Sequence, residues 1–381
     1  MPADVIVRRV PETRSALTRL VKWSIDLYRG NDCYVPPLIS DEVNTLRAAT
    51  NPAFDFCEAA TFEALRDGAT VGRITAIINR TANERMGENI LRFGFVDFID
   101  DDAVVDALFA AAEKWGRERG MTAIVGPLGF TDLDHEGMLI SGFDELGTMA
   151  TIYNYPYYPK QMERLGMVKE TDWIEFLLDV PEVIPPKMVR IASIAEQKFG
   201  LHVVPTKSRK LLKERYGHKL FDLINVAYDK LYGYTPLTTR LIDFYIREYL
   251  GILRLDNICV VVDSDDNLVA VGITMPSLSR ALQRSRGRLF PFGWYHLLRA
   301  LQAKVDRVDL MLVAVHPDYQ SRGVNALLFR ELIPAYQRLG YRYAESNLEL
   351  EDNENVQRQW QYFEHRLHRR RRAWRRPISQ D

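Results

Sequence analysis

The sequence predicts an α/β fold of the α+β kind: two tandem modules, each a mixed, mainly antiparallel sheet flanked by helices. Three observations predict it. The 381 residues exceed one ordinary domain and suit two. The order of a hairpin, a strand, an amphipathic helix and a further strand can be read twice along the chain. Val71-Gly72 and Val271-Gly272 occupy the same place, just past the hairpin turn, in the two halves.

Taken in order, Val5 to Val10 reads as a short strand, and Thr13 to Tyr28 as a helix with Leu17, Leu20, Val21 and Ile25 on one face. The prolines at 36, 37 and 52 make residues 32 to 52 irregular. Ala59 to Leu65 and Thr70 to Ile78 form a hairpin about Arg66-Asp67-Gly68. Leu91 to Ile99 is a strand, Asp100-Asp101-Asp102 caps a helix that Gly120 stops, and Thr122 to Val125 is a strand. Three prolines between Pro181 and Pro186 place the boundary there, giving modules 1–180 and 181–381.

The second half opens with a strand at Leu201 to Val204, then helix from Leu211 to Leu250 with interruptions at Gly217 and Gly233. Ile258 to Val262 and Leu268 to Thr274 form its hairpin. A strand follows at Val308 to Val315, a helix from Gly323 to about Leu339, and a strand at Tyr343 to Leu350.

Composition narrows the class. With 47% apolar residues the chain buries real cores. Fifty Lys and Arg against 51 Asp and Glu leave a net charge of −1, so no global field recruits nucleic acid or anionic lipid. Cys33, Cys57 and Cys259 form no C-x-x-C pair, which fits a reducing cytoplasm. No apolar run reaches the ~18 residues that span a bilayer, and residues 1 to 10 do not resemble a secretory signal, so a soluble protein without a membrane partner is expected.

The chemistry concentrates where the apolar strand through Val313 and Val315 ends at His316-Pro317. A polar loop, Gln320-Ser321-Arg322-Gly323, then opens a helix with Val324, Leu327 and Leu328 inward. First-turn amides lack internal partners and sit at the positive helix end, so they suit a diphosphate; Gly323 permits close approach and Arg322 adds charge. A capped strand-to-helix turn, common in α/β proteins, is the alternative reading of these residues.

Gln320-Ser321-Arg322-Gly323-Val324-Asn325, preceded by Val315-His316-Pro317, resembles the pyrophosphate loop of the GNAT superfamily of acyl-coenzyme A dependent N-acyltransferases, Q/R-x-x-G-x-G/A, with Asn325 replacing the final small residue. The resemblance implies a coenzyme A site formed by Val313, Val315, Gln320, Ser321, Arg322, Gly323, Val324 and Asn325, with the backbone of Val313 and Val315 pairing with the pantetheine arm. It implies acetyl-coenzyme A or another acyl-coenzyme A as co-substrate, no metal, and a small-molecule or peptide amine as acceptor. It also implies a Tyr that protonates the departing thiolate. Trp360 stands where that Tyr registers, and Tyr362 lies two residues later, so Tyr362 is read either as that acid or as a surface aromatic. For a general base, Glu345 is favoured over Glu349 and Asp309, each of which also reads as an ordinary edge position.

In the first module the equivalent loop is Ile99-Asp100-Asp101-Asp102-Ala103, whose carboxylates repel a diphosphate, so no standard coenzyme A binding is expected there. Asp132, Asp134, His135 and Glu136 read as solvated loop charges, without metal-ligand spacing. Tyr153, Tyr155, Tyr157 and Tyr158 either line an acceptor pocket or pack between modules. The tail from Arg366 to Arg376 carries seven arginines. It is read as a last strand with guanidiniums in solvent or on acids such as Glu349 to Glu354; contacts to nucleic acid or to the coenzyme's adenosine phosphate are the alternatives. The preferred function is direct acyl transfer to an amine, with a non-catalytic sensing or scaffold protein as runner-up. Nucleic acid is not an expected partner, and a homodimer is compatible with the sequence.

Overall fold

The computed structural model describes residues 4–205, 208–251, 253–302 and 305–379. The chain divides into two compact units. Unit 1 comprises Met1–Ile174, Ser279–Leu297 and Arg369–Asp381; unit 2 comprises Glu175–Leu278 and Leu298–His368.

Unit 1 begins with β1 (Ile6–Arg9), α1 (Arg14–Leu27) and α2 (Ile39–Thr45), followed by the hairpin β2 (Cys57–Arg66) and β3 (Ala69–Asn79). Then come α3 (Arg80–Met86), β4 (Ile90–Phe98), α4 (Asp102–Arg117), β5 (Ala123–Gly126), β6 (Met138–Ser141) and α5 (Tyr157–Arg164). The strand β7 (Val168–Asp179) crosses from unit 1 into unit 2.

Unit 2 continues with α6 (Pro186–Phe199), β8 (His202–Val203), α7 (Arg209–Ala227), α8 (Thr239–Glu248), β9 (Ile258–Val262) and β10 (Leu268–Pro276). Two helices that the sequence reading passed over follow, α9 (Ser279–Ser285), which belongs to unit 1, and α10 (Gly293–Gln302), which runs from unit 1 into unit 2. The rest is β11 (Arg307–Val315), α11 (Val324–Leu339), β12 (Tyr343–Ser346), β13 (Glu349–Leu350), α12 (Glu354–Gln357) and β14 (His365–Pro377), the last ending in unit 1.

In unit 1 the strands run β1-β2-β3-β4-β5-β14, antiparallel except for the β4–β5 pair. In unit 2 they run β8-β9-β10-β11-β12-β7, antiparallel except for β11–β12. Each unit thus repeats one plan, and the duplicated Val-Gly pair has the same physical reason in both. A Cβ on Gly72 would meet Leu108 of α4 at 2.7 Å, and one on Gly272 would meet Leu332 of α11 at 3.2 Å. In each unit the glycine lets the following helix pack tightly on the hairpin.

Capping follows local chemistry. Thr13 accepts from the Ala16 amide, Asp101 from Val104 and Ser208 from Leu211. Gly217 does not interrupt α7, contrary to the expectation. It is buried within the helix, where Ile246 would stand 3.3 Å from an added Cβ. Among the described residues no helix is long and apolar enough to cross a membrane.

Candidate functional site

The site in unit 2 is created by a divergence of strands. β11 pairs with β12 only from Arg307↔Tyr343 to Leu310↔Ser346, while on its other edge it stays paired with β10 as far as Val315. From Met311 onward the edge facing away from β10 is therefore open. An open edge presents polar backbone groups that must find partners.

Those partners are side chains. Asn347 Nδ2 donates to the Met311 carbonyl at 3.0 Å, the Tyr228 hydroxyl donates to the Val313 carbonyl at 2.9 Å, and Gln320 Nε2 donates to the Val315 carbonyl at 3.0 Å. Alternate residues of a strand point their carbonyls to the same edge, so the three bonds cap one continuous row. The expected strand at Tyr343 to Leu350 is broken into β12 and β13, and Asn347 in the break reaches β11. Tyr228, at the C-terminal end of α7, and Asn347 are site residues that the sequence reading missed. Neither lies in a motif, and only the fold brings them to the strand edge. Burial pushes the Tyr228 hydroxyl up to about 12, so it is a donor at neutral pH.

Beyond Val315, a turn of 3-10 helix at Pro317–Tyr319 leads to the loop. Ser321 and Gly323 take left-handed conformations, with φ of 59° and 82°. Gly323 is the N-cap of α11 and supplies no side-chain cap to its first-turn amides. It also lies against α6, since a Cβ there would come within 2.5 Å of Ile191 Cγ2. Gln320, Ser321 and Arg322 are exposed, and the Arg322 guanidinium lies 5.4 Å from the Phe199 ring centroid. Val324 is buried under the helix, and Asn325 Nδ2 donates to Gln359 Oε1 at 3.2 Å. The loop is thus an exposed, amide-rich turn, with the Asn325 side chain held by Gln359.

Two groups of carboxylates lie in the same unit. Glu345, in register with Asp309, is buried and accepts from Arg307 Nη1 at 2.9 Å; His368 Nε2 lies 3.6 Å away. Atoms of Glu175, Glu345 and His368 fall within 4.8 Å of one another. This is a buried cluster in which the Arg307 guanidinium stands beside the Glu345 carboxylate.

Glu349 differs from Glu345 in its partners. It is buried, and Trp360 Nε1 donates to both of its oxygens at 2.9 and 3.1 Å. Burial raises its carboxyl to about 7, with bonds from Trp360 and Ser346 acting against the shift. Trp360, at the position where a Tyr was expected, thus serves as a hydrogen-bond donor to a carboxylate. Tyr362 is half-buried, with Lys187 Nζ 5.1 Å from its ring centroid. The structure therefore brings Val313, Val315 and Gln320 together at the strand edge and leads from there to Gly323. It sets Glu345 in the Arg307 cluster and Tyr362 beside Lys187 of α6.

In unit 1 the acidic loop is tied into the fold. Arg66 donates to both Asp101 oxygens at 2.8 and 3.0 Å, holding that carboxyl below the ordinary range, and Gln161 donates to Asp100 and Asp102. Inside unit 1, Tyr28 stacks on Tyr34 and Tyr155, and Tyr153 meets all three rings edge-on. Beside them Arg73 is buried between Glu42 and Asp97, and Asp97 also accepts from Tyr28.

The arginine-rich tail is β14, a last strand as expected, and several of its arginines are paired with acids of unit 1. Arg372 binds Asp172, Arg375 binds Glu88 and Glu170, and Arg376 binds Glu113. Arg369 and Arg371 are buried and donate to the carbonyls of Leu146 and Ile152. Alternation along the strand forces every second guanidinium inward, where carbonyl oxygens receive it.

No family model matches the chain. The chain is 28% identical over 364 residues to a Caulobacter vibrioides (strain NA1000 / CB15N) protein named bacterial ceramide synthase, with 92% of each covered. It is 27% identical over 328 residues to protein YghO of Escherichia coli (strain K12), covering 84% of this chain and 82% of that protein. A solved tandem GNAT protein from the clavulanic acid biosynthesis pathway aligns with a TM-score of 0.59 at 12% identity, covering 99% of each chain. Over its whole length, this protein has the fold of the tandem GNAT proteins.

Proposed function

We propose that unit 2 is an acyl-coenzyme A dependent N-acyltransferase. The single observation that carries the reading is the open edge of β11 beyond Leu310, running into the uncapped N-terminus of α11 at Gly323. The strand edge suits an amide-bearing pantetheine arm as an added strand, and the helix start suits its diphosphate. Gln320, Ser321, Arg322, Gly323, Val324 and Asn325 form the diphosphate end of this path, and Val313 and Val315 the arm. As the arm enters, its two amides take over carbonyls of the row that side chains such as Tyr228 hold in the free protein.

The reaction is direct transfer. The amine lone pair attacks the thioester carbonyl, the C–N bond forms, the C–S bond breaks, and the thiolate leaves with the electron pair. The ammonium proton passes to a carboxylate, and a hydroxyl returns a proton to the thiolate. Of the carboxylates, Glu349 titrates near neutrality and is the preferred base. Glu345 is occupied by Arg307 and serves to hold β11 and β12 in register. The hydroxyl is that of Tyr362, or that of Tyr228 once the arm has displaced it from the Val313 carbonyl.

The acceptor is a lipid-type amine and the acyl group a long chain. This is supported by the 28% identical relative named bacterial ceramide synthase, since ceramide formation is N-acylation of a sphingoid amine. Unit 1 acts without coenzyme A, in keeping with its acidic loop.

Free-thiol release tests the reading, with acetyl- and palmitoyl-coenzyme A each offered to sphinganine and to polar amines. Release that needs both palmitoyl-coenzyme A and sphinganine is expected. No release with any pair overturns the enzymatic reading. If calorimetry still detects acyl-coenzyme A binding, the second reading, a binding or scaffold protein, takes its place; the side-chain capping of the carbonyl row favours that alternative.

A further inference from the structure

From Asn267 to Val305 the sequence contains no Asp or Glu, while it holds Arg280, Arg284, Arg286, Arg288, Arg299 and Lys304. A chain whose net charge is −1 therefore carries a wholly basic segment. Within it the side chains most expensive to leave in water are exposed. Phe290 is 78% and Phe292 72% exposed, with Trp294 and Tyr295 at 45% and 52%.

The segment is held, and its outward side is fixed. Ser279 donates to the Gly147 carbonyl at 2.9 Å, and Gln283 to the carbonyls of Asp32 and Tyr34 at 2.8 and 2.9 Å. The Ile39 amide donates to the Gly287 carbonyl at 2.9 Å, while Ala281 and Leu282 are buried. Past this anchorage the Trp294 indole N–H bonds the Pro291 carbonyl at 3.0 Å, which orients its ring. Arg284 and Arg288 are exposed along the same segment. Arg286 is paired with Asp26.

We propose that Phe290, Phe292, Trp294 and Tyr295, with Arg284 and Arg288 beside them, form a docking surface on unit 1 for an anionic lipid bilayer. The chemistry matches an interface in two respects. Trp, Tyr and Phe settle at the boundary between headgroups and acyl chains, and arginines beside them meet lipid phosphates. A second copy of the chain fits less well. A two-fold contact would set this basic rim against itself, with no carboxylate in the segment to relieve the repulsion. The surface is independent of the proposed coenzyme site, and its test uses no acyl-coenzyme A.

The experiment is flotation of the full chain with phosphatidylcholine vesicles, with and without a minor fraction of phosphatidylglycerol. The wild type floats with the phosphatidylglycerol vesicles, is released by high salt, and stays unbound with phosphatidylcholine alone. A Phe290→Ser/Phe292→Ser/Trp294→Ser variant loses at least about tenfold in vesicle affinity, with its thermal unfolding unchanged. Arg284→Glu/Arg288→Glu weakens binding to a similar degree and keeps the proposal testable should the first variant not fold. The proposal is overturned if the wild type floats with neither vesicle, if it binds both equally, or if the foldable variants bind as the wild type does. It is also overturned if sedimentation shows a dimer that the serine variant dissolves while vesicles leave the protein unbound.

Discussion

The Tyr228 hydroxyl donates to the Val313 carbonyl at 2.9 Å, closing the middle of the strand edge on which the proposed acyl donor lies. A helix end and a strand 85 residues apart meet at the point where an incoming amide needs the same oxygen. The bond is a structural cap and, under the proposed function, a competitor of the acyl donor.

Tyr228→Phe removes that competitor. We expect acyl-coenzyme A to bind up to about tenfold more tightly by calorimetry, while folding stability falls by about 1 kcal/mol because one partly buried carbonyl loses its partner. Weaker binding in the variant would mean that Tyr228 contacts the donor instead of standing in for it.

Glu349 controls a pH dependence in two measurements. Its carboxyl titrates near 7 in the folded chain, so the proton-accepting form, and with it kcat/KM, rises as pH increases through about 7. Glu349→Gln abolishes that rise and lowers kcat/KM by about 100-fold. A raised carboxyl binds protons more tightly folded than unfolded, so stability is greatest below the unfolded value and declines as pH rises from about 4.5 to about 7. The loss is up to about 3 kcal/mol, and urea unfolding of Glu349→Gln should lack that decline.

Gly323→Ala places a Cβ 2.5 Å from Ile191 and asks alanine to hold a φ of 82°. The left-handed conformation alone costs about 1–2 kcal/mol. We expect that loss in chemical denaturation, together with weaker acyl-coenzyme A binding. Unchanged affinity would separate the loop from the coenzyme.

Arg73→Met leaves Glu42 and Asp97 buried without their shared cation. Burial already raises the Asp97 carboxyl despite Arg73, so removing the guanidinium leaves the largest penalty uncompensated. A loss of about 3–5 kcal/mol is expected in urea unfolding. A loss below about 1 kcal/mol would show that the pair relaxes into water.

The basic, aromatic segment illustrates what bulk numbers hide. Net charge and the search for a spanning run both passed over residues 279 to 302, because the arginines there are balanced by acids elsewhere and the apolar residues are interrupted. Exposure had to be known before Phe290 and Trp294 became informative. The same holds for the arginines of β14. They were read as a last strand, but which acids they meet could not be read locally, because Asp172, Glu88 and Glu113 come from distant parts of the chain.

Local order was written in the sequence. The hairpins about Arg66-Asp67-Gly68 and after Ile258, the caps at Thr13 and Asp101, the strand into Pro317 and the helix after Gly323 depend on neighbours a few residues away, and turn chemistry and periodicity report such neighbours directly. Only the tertiary structure decided that Ser279–Leu297 and Arg369–Asp381 belong with unit 1. It also decided that Tyr228 and Asn347 close the edge of β11, and that Glu349 is raised toward neutrality while Glu345 is paired with Arg307. Each of these is a property of groups far apart in sequence, set by burial and by which polar atom arrives within hydrogen-bond reach. No local pattern encodes that distance.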